Sequence, residues 1–96
     1  MNEMDKSYSA VLTVVGRDKP GIIAEVTRIL ADYNVNVINI TQTILKDIFQ
    51  MIMLVDADDA SISFKELSDK LDQKAEEINC QIRLQQREVF TSMHRI

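Results

Sequence analysis

The sequence predicts an α+β fold in which a four-stranded antiparallel sheet packs against two helices. Three observations lead to this prediction. An alternating apolar strand runs into a Pro-Gly turn and then an amphipathic helix. Two further apolar strands are separated by two residues, and a second amphipathic helix leads into a last alternating strand. The 96 residues suit a single domain with the element order β-α-β-β-α-β.

The first strand is predicted over Tyr8–Gly16, where both alternating faces are largely apolar. A strand that is apolar on both faces is typical of the centre of a sheet. The turn that follows, Gly16–Gly21, ends at the start of a helix. Pro20 suits either the first helical turn or the second position of a β-turn, and Asp18 is predicted to cap the helix.

Two helices are predicted from apolar residues at helical spacing. The first covers Ile22 to about Tyr33, and Asn34 is a plausible left-handed stop. The second covers Ser63–Asn79, where Ser63 with Glu66 matches a capping box.

The middle strands are predicted over Val35–Leu45 and Ile48–Val55, both rich in residues that favour strands. The two-residue connection between them predicts a hairpin, although it lacks the usual glycine. Strict alternation places Asn36 on the same face as Ile44, and Asn39 on the other face.

The last strand is predicted from Cys80 to about Glu88, with Ile82 and Leu84 inward and polar side chains outward. This pattern is typical of an edge strand or of one that is half exposed to water. With a central first strand and right-handed crossovers, the predicted architecture is a ferredoxin-like βαββαβ sandwich with both helices on one sheet face.

The opposite sheet face is predicted to have no helix over it. It would then expose Val11, Val15, Ile52 and Leu54, a surface too apolar to leave in water, so a partner subunit is the expected cover. Residues 1–7 are predicted to be a flexible tail and residues 8–88 the folded domain. Residues 89–96 form a C-terminal tail whose apolar spacing suits a short docking helix.

Composition and charge exclude several classes of protein. The net charge is −4, with acidic and basic residues mixed along the chain. No nucleic-acid partner is expected, because such binding rests on clustered positive charge. No apolar run approaches the roughly 20 residues that span a bilayer, and the polar N-terminus lacks the apolar core of a signal peptide. The single cysteine excludes an intrachain disulfide framework. A soluble cytoplasmic protein without a membrane partner is therefore expected.

The segment Asp56–Asp59 places three carboxylates within four residues. Oxygen ligands suit Ca²⁺ or Mg²⁺, but the spacing and the glycine of a calcium loop are missing. A solvated loop before the next helix is the favoured interpretation, and no metal or cofactor is predicted. Catalysis is not predicted either, because neither Cys80 nor His94 has an evident partner for acid–base or nucleophilic chemistry.

Residues 18–37 resemble the opening of an ACT domain. They read Asp-Lys-Pro-Gly, then an apolar helix, then a short turn with a polar residue into the second strand; the family's pattern has a D-x-P-G or N-x-P-G turn at this place. Thr43 with Asp47-Ile48-Phe49 is similar to the T…D-x-F hairpin of many ACT domains. The resemblance covers residues 8–88, and the tail from 90 to 96 is similar to that of small stand-alone bacterial and archaeal ACT proteins.

The resemblance implies regulatory ligand binding. ACT domains commonly pair, often edge to edge into a longer sheet, and hold amino acids at the interface near the first turn. The implied ligand-binding residues are the turn positions Asp18, Lys19, Pro20, Gly21 and Ile22, faced by Asn36 and Asn39 of a neighbouring subunit.

Asp18 departs from many amino-acid-binding members, which have asparagine at this position. An ionised carboxylate only accepts hydrogen bonds, so Asp18 would favour a ligand's ammonium group and repel its carboxylate. The simpler alternative is that the turn is only a helix cap and a tight bend.

The predicted function is therefore a non-enzymatic regulatory module that binds a small molecule, with an amino acid as the expected ligand. It would act through the interface of a homodimer or higher homo-oligomer. The alternative is a ligand-free interaction module that docks its exposed sheet face and tail on a larger protein.

Overall fold

The computed structural model describes residues 8–93. Its elements, in chain order, are β1 (Ala10–Arg17), α1 (Ile22–Asp32), β2 (Asn36–Leu45), β3 (Ile48–Asp56), α2 (Phe64–Ile78), β4 (Cys80–Gln86) and α3 (Arg87–Met93). The strands form one four-stranded sheet in the order β2-β3-β1-β4, with antiparallel neighbours throughout. The predicted ferredoxin-like sandwich with a central first strand is confirmed. The predicted tail of residues 1–7, and His94, lie outside the described residues.

The core lies between the sheet and the layer formed by α1 and α2. It collects alternate side chains of β1 and β3, the inward stripe of each helix and the inward residues of β4, including Leu12, Met51, Met53, Val26, Leu30, Leu67, Leu71 and Ile82. Burying each side chain of this size contributes about 1.5–3 kcal/mol relative to leaving it exposed. A partly exposed ion pair also links the two helices, because Lys74 Nζ lies 3.0 Å from Glu25 Oε1.

The helix ends follow the sequence closely. The Ser63 hydroxyl accepts a hydrogen bond from the Glu66 N–H at 3.1 Å, and the Glu66 carboxylate accepts one from the Ser63 N–H at 3.0 Å. The predicted capping box is thereby confirmed. Asn34, with φ of 62°, adopts the predicted left-handed conformation, and Asn79 ends α2 in the same way with φ of 57°.

A β-bulge in β2 makes the predicted alternation wrong at the start of this strand. Val37 pairs with Val55 and Asn39 with Leu54, which leaves Ile38 as an extra residue on β2. Residues directly opposite each other in an antiparallel pair share a face. Because Val55 belongs to the core, its neighbour Leu54 and therefore Asn39 lie on the opposite sheet face.

The sheet face away from α1 and α2, called the open face below, is not bare as predicted. Val11 pairs with Leu54 and Gln85 on this face, yet only 1% of its surface is exposed. Helix α3 contacts both β1 and β4, and the Gln85 side-chain amide donates a hydrogen bond to Met93 Sδ at 3.1 Å. The helix therefore covers the β1–β4 half of the open face. Val15 and Ile52 remain 38% and 39% exposed.

The predicted end of the last strand is wrong, because α3 begins where the strand was predicted to continue. β4 ends at Gln86 rather than at about Glu88, because the chain turns into a helix at Arg87. The Arg87 N–H donates to the Ser9 carbonyl at 2.9 Å, and the Arg87 guanidinium stacks 4.4 Å from the centre of the Tyr8 ring. These contacts fix the point where the chain leaves the sheet.

Candidate functional site

The turn between β1 and α1 is held by a glycine and by the neighbouring hairpin. Gly21 has φ of 90° and ψ of −1°, values that suit the third position of a type II turn with Pro20 at the second. The Asp18 N–H donates to the Asp47 carbonyl at 2.7 Å. Arg17 and Asp47 form an exposed ion pair at 3.4 Å. The β2–β3 hairpin therefore fixes where the turn lies.

The prediction that Asp18 caps α1 is wrong. Gly21 occupies the N-cap position, and no side-chain hydrogen bond caps the helix. The first intrahelical bond runs from the Glu25 N–H to the Gly21 carbonyl at 2.9 Å. Because an α-helix leaves its first N–H groups without intrahelical partners, those of Ile22, Ile23 and Ala24 are presented at the helix end. They carry the positive end of the helix dipole.

This helix end opens into a cavity of about 470 Å³. The turn and the first helical turn form one wall, and β2 and β3 form the other. Its lining consists of Asp18, Lys19, Gly21, Ile22, Ile23, Ala24, Gln42, Ile44 and Phe49. Four of the five turn residues named from the sequence border it; Pro20 shapes the turn but does not line the cavity.

Asn36 and Asn39 do not meet the turn within one chain. Gln42 and Ile44 line the cavity, and they pair with Met51 and Phe49 on the core face. Both asparagines lie on the open face: Asn39 pairs with Leu54, and Asn36 with Asp56 one position beyond the core residue Val55. The partners of Asn36 and Gln42, Asp56 and Met51, are five residues apart on β3, so at about 3.3 Å per residue Asn36 also lies roughly 17 Å along the sheet from Gln42.

Five lining residues of the cavity were not singled out as site residues from the sequence: Ile23 and Ala24 on α1, and Gln42, Ile44 and Phe49 on the two strands. The register explains the position of the strand residues, because Phe49 pairs with Gly16 on one side and Ile44 on the other. This pairing lies at the end of the sheet next to the turn, where Phe49 lines the cavity. The similarity of Asp47-Ile48-Phe49 to the family's hairpin was the available signal, but it could not indicate which face the ring would occupy.

Two charged groups on α2 have displaced pKa values, and neither borders the cavity. Hydrogen bonding to the Ser63 backbone N–H, and then to its hydroxyl, lowers the pKa of Glu66. Hydrogen bonding to Glu77 and then to Glu25 raises the pKa of Lys74. Both shifts follow from the contacts that hold α2 and need no ligand to explain them.

The acidic segment after β3 forms a turn. The Asp58 N–H donates to the Asp56 carboxylate at 3.0 Å, and the Asp59 carbonyl accepts from the Asn34 side chain at 3.0 Å. Within residues 8–93, no three His, Cys, Asp or Glu side chains are grouped so as to hold a metal ion. In the same range, no helix has the length and apolar character needed to cross a membrane.

Comparison with known proteins places these features in a family. The family model for the ACT domain matches residues 9–85. A UPF0237 protein of Methanococcus maripaludis is 49% identical over 88 residues, which cover 92% of this chain and 98% of that protein. An ACT domain protein from Streptococcus pneumoniae superposes with a TM-score of 0.75 at 32% identity, over 88% of this chain and 94% of that one.

A larger protein contains the same fold. The regulatory subunit of aspartate kinase from Thermus thermophilus, in its ligand-free form, superposes with a TM-score of 0.65 at 28% identity, over 82% of this chain and 51% of that one. Domains of this kind generally serve as regulatory ligand-binding modules. With its βαββαβ sheet and its glycine turn before α1, the chain belongs to the ACT domain family.

Proposed function

We propose that this chain is a regulatory module that binds an amino acid in the cavity beside the turn and acts through a homodimer interface. The observation that carries the proposal is the uncapped start of α1, which opens into the cavity next to the Asp18 carboxylate. Membership of the ACT family supports a regulatory role, as does the similarity to a regulatory subunit of aspartate kinase.

The lining of the cavity suits a zwitterion. Backbone N–H groups at a helix N-terminus favour an anion, so those of Ile22, Ile23 and Ala24 would receive the ligand's carboxylate. The Asp18 carboxylate, which only accepts hydrogen bonds, would receive its ammonium group. Ile44 and Phe49 supply an apolar wall for the ligand's side chain. This arrangement resolves the difficulty raised by Asp18, because the two charged ends of the ligand meet different groups.

Pairing through β2 would place a second subunit next to the site. β2 is an edge strand of ten residues without a charged side chain or a proline, and natural edges are usually protected from pairing by such residues. In an antiparallel β2–β2 pair about a two-fold axis, the start of the partner's strand lies beside the end of this one. Asn36 and Asn39 of the partner subunit would then lie beside the end of β2 that borders the cavity, but on the open face, so in this pairing they would flank the site rather than line it.

Regulation would follow from the position of the ligand at this junction. A ligand that touches both subunits stabilises the arrangement in which it makes more contacts. It can shift the equilibrium between arrangements only by the difference in its affinity for them.

A thermal-shift panel of the common amino acids tests the proposal. A ligand at 100 times its Kd adds about 2.7 kcal/mol of stability. Each kcal/mol raises the Tm of a domain of this size by roughly 4–8 °C, so one or two amino acids should give a clear shift. Asp18→Asn should reduce the shift. Asp32→Asn is the matched control, because Asp32 carries the same charge at an exposed position on α1 without lining the cavity.

Two results would count against this function. A flat panel would favour the ligand-free interaction module, for which the apolar residues left on the open face provide a surface. A shift that Asp18→Asn and Asp32→Asn reduce equally would place the ligand elsewhere.

A further inference from the structure

Helix α3 divides the open face into two unlike halves. The ACT family match ends at residue 85, so α3 is an addition to the matched domain. It stands as a ridge on the β1–β4 half, where it buries Val11. The remainder, called the uncovered half below, consists of the open-face side chains of β2 and β3 from the Asn39–Leu54 pair to the Leu45–Ile48 pair.

The uncovered half is neutral and partly apolar. β2 has no charged residue, and the one charge of β3 is Asp56 at its end. Ile52, Ile48 and Leu45 are 39%, 51% and 70% exposed. Charged residues make up 27% of the chain, yet none lies on this part of the sheet surface. An uncharged, partly apolar surface of this width is typical of a surface that contacts another molecule.

The ridge also presents apolar groups to solvent. Val89 and Met93 lie four residues apart on α3, a spacing that places them on one side of a helix. They are 47% and 58% exposed. Phe90, by contrast, lines the concavity that Thr13 and Val15 form on the sheet below. α3 therefore packs one apolar side, with Phe90, against the sheet of its own chain. Its exposed apolar pair, Val89 and Met93, is free to contact another surface.

We propose that α3 docks on the uncovered half of the open face of a second copy of this chain. The ridge and the neutral half lie side by side on the same face. A two-fold axis that lies between two such faces and runs along the strands places each ridge over the other copy's uncovered half. Val89 and Met93 of one copy then pack against Ile52 and Leu54 of the other.

A second copy fits this surface better than an unrelated protein. A two-fold interface needs a surface that is complementary to itself, and a helix that projects from one half of a face, beside an uncovered half with exposed apolar side chains, has this property. The lack of charge on the uncovered half avoids the like-charge contacts that a two-fold axis otherwise creates. The proposed contact uses a different surface from the β2 edge, so variants can test the two contacts separately.

Mass measurement by light scattering after gel filtration, at micromolar concentration, tests this interface. The double variant Val89→Glu with Met93→Glu, and separately Ile52→Glu, should each halve the mass of the assembly. Far-UV circular dichroism checks that each variant is folded. Ser61→Glu with Gln73→Glu adds two charges at exposed positions outside the proposed contact and should leave the mass unchanged. Ile40→Lys tests the β2 edge separately.

A rescue experiment makes the assignment specific. Met93→Lys combined with Ile52→Glu should restore the mass that each change alone reduces, because the two-fold axis brings the new charges together. A wild-type dimer that α3 variants dissociate, while Ile40→Lys does not, would support this interface and contradict edge pairing. The inference would be overturned if the α3 variants and Ile52→Glu all had the same mass as the wild-type protein, or if the wild-type protein were itself a monomer.

Discussion

A Cβ atom placed on Gly16 would lie 2.5 Å from Cys80 Sγ and 3.2 Å from Cys80 Cα. The two residues are paired across β1 and β4, at the end of the sheet where the chain enters the turn. No side chain fits between them. On its other side Gly16 pairs with Phe49, which lines the turn cavity, so the close approach lies one strand away from the candidate site.

Gly16→Ala should therefore destabilise the protein. Overpacking of this kind typically costs about 1–3 kcal/mol, and each kcal/mol lowers Tm by roughly 4–8 °C in a domain of this size. Adding Cys80→Ala removes the nearest clashing atom and should recover part of the loss. Thermal unfolding of the three variants measures this, and a Gly16→Ala protein with wild-type Tm would contradict the close approach.

Substitution of Gly21 should act through the backbone alone. Its φ of 90° lies in the left-handed region, and an added Cβ would meet nothing within 4 Å. Gly21→Ala should thus cost about 1–2 kcal/mol, the penalty for holding an L-residue in this region. Gly21→Asn should cost less, because asparagine tolerates the conformation better. Equal unfolding free energies in urea for both variants and the wild type would show that the turn is built differently.

The capping box of α2 should make stability depend on acid pH. The pKa of Glu66 is lowered in the folded protein. The stability that the ionised Glu66 carboxylate contributes is therefore fully present above its unfolded pKa. It is lost as the pH falls through the folded pKa. Glu66→Gln should therefore flatten the fall in Tm below about pH 4.5. Asp69→Asn, at the next acidic position on α2, is the control, and an unchanged pH profile in Glu66→Gln would contradict the assignment.

The bulge in β2 predicts an unusual tolerance to deletion. Removing Ile38 leaves every other side chain of β2 on its present face, because the two-residue alternation then runs unbroken. Removing Thr41 instead moves Ile40 to the open face and Asn39 to the core face. The Thr41 deletion should be less stable by about 1 kcal/mol or more, since it brings an amide toward the core. Urea unfolding compares the two, and equal losses would contradict the bulge.

Most of the fold could be predicted because local patterns and topology agree. Apolar periodicity located both helices, and the capping pair at Ser63 and Glu66 fixed the start of α2. The apolar character of both faces of β1 indicated its central place. These features depend on residues that are close together in the sequence, so they can be recognised without knowledge of long-range contacts.

What the sequence could not indicate depends on register and on contacts between distant residues. The bulge at Ile38 inverts the expected face of Asn36, and nothing in a β-branched run marks the inserted residue. The cavity wall formed by Gln42 and Phe49 depends on pairing between strands. The position of α3 on the sheet follows from long-range packing. The apolar spacing of the tail indicated only that this segment would be helical.

The most direct test of the central claim is an NMR titration of ¹⁵N-labelled protein with each amino acid that raises Tm. The account predicts that the backbone amide signals of Ile22, Ile23 and Ala24 move most, together with those near Phe49. Asp18→Asn should weaken the response and Asp32→Asn should not. Shifts confined to residues away from the turn, or no shift with any amino acid, would contradict ligand binding at this site.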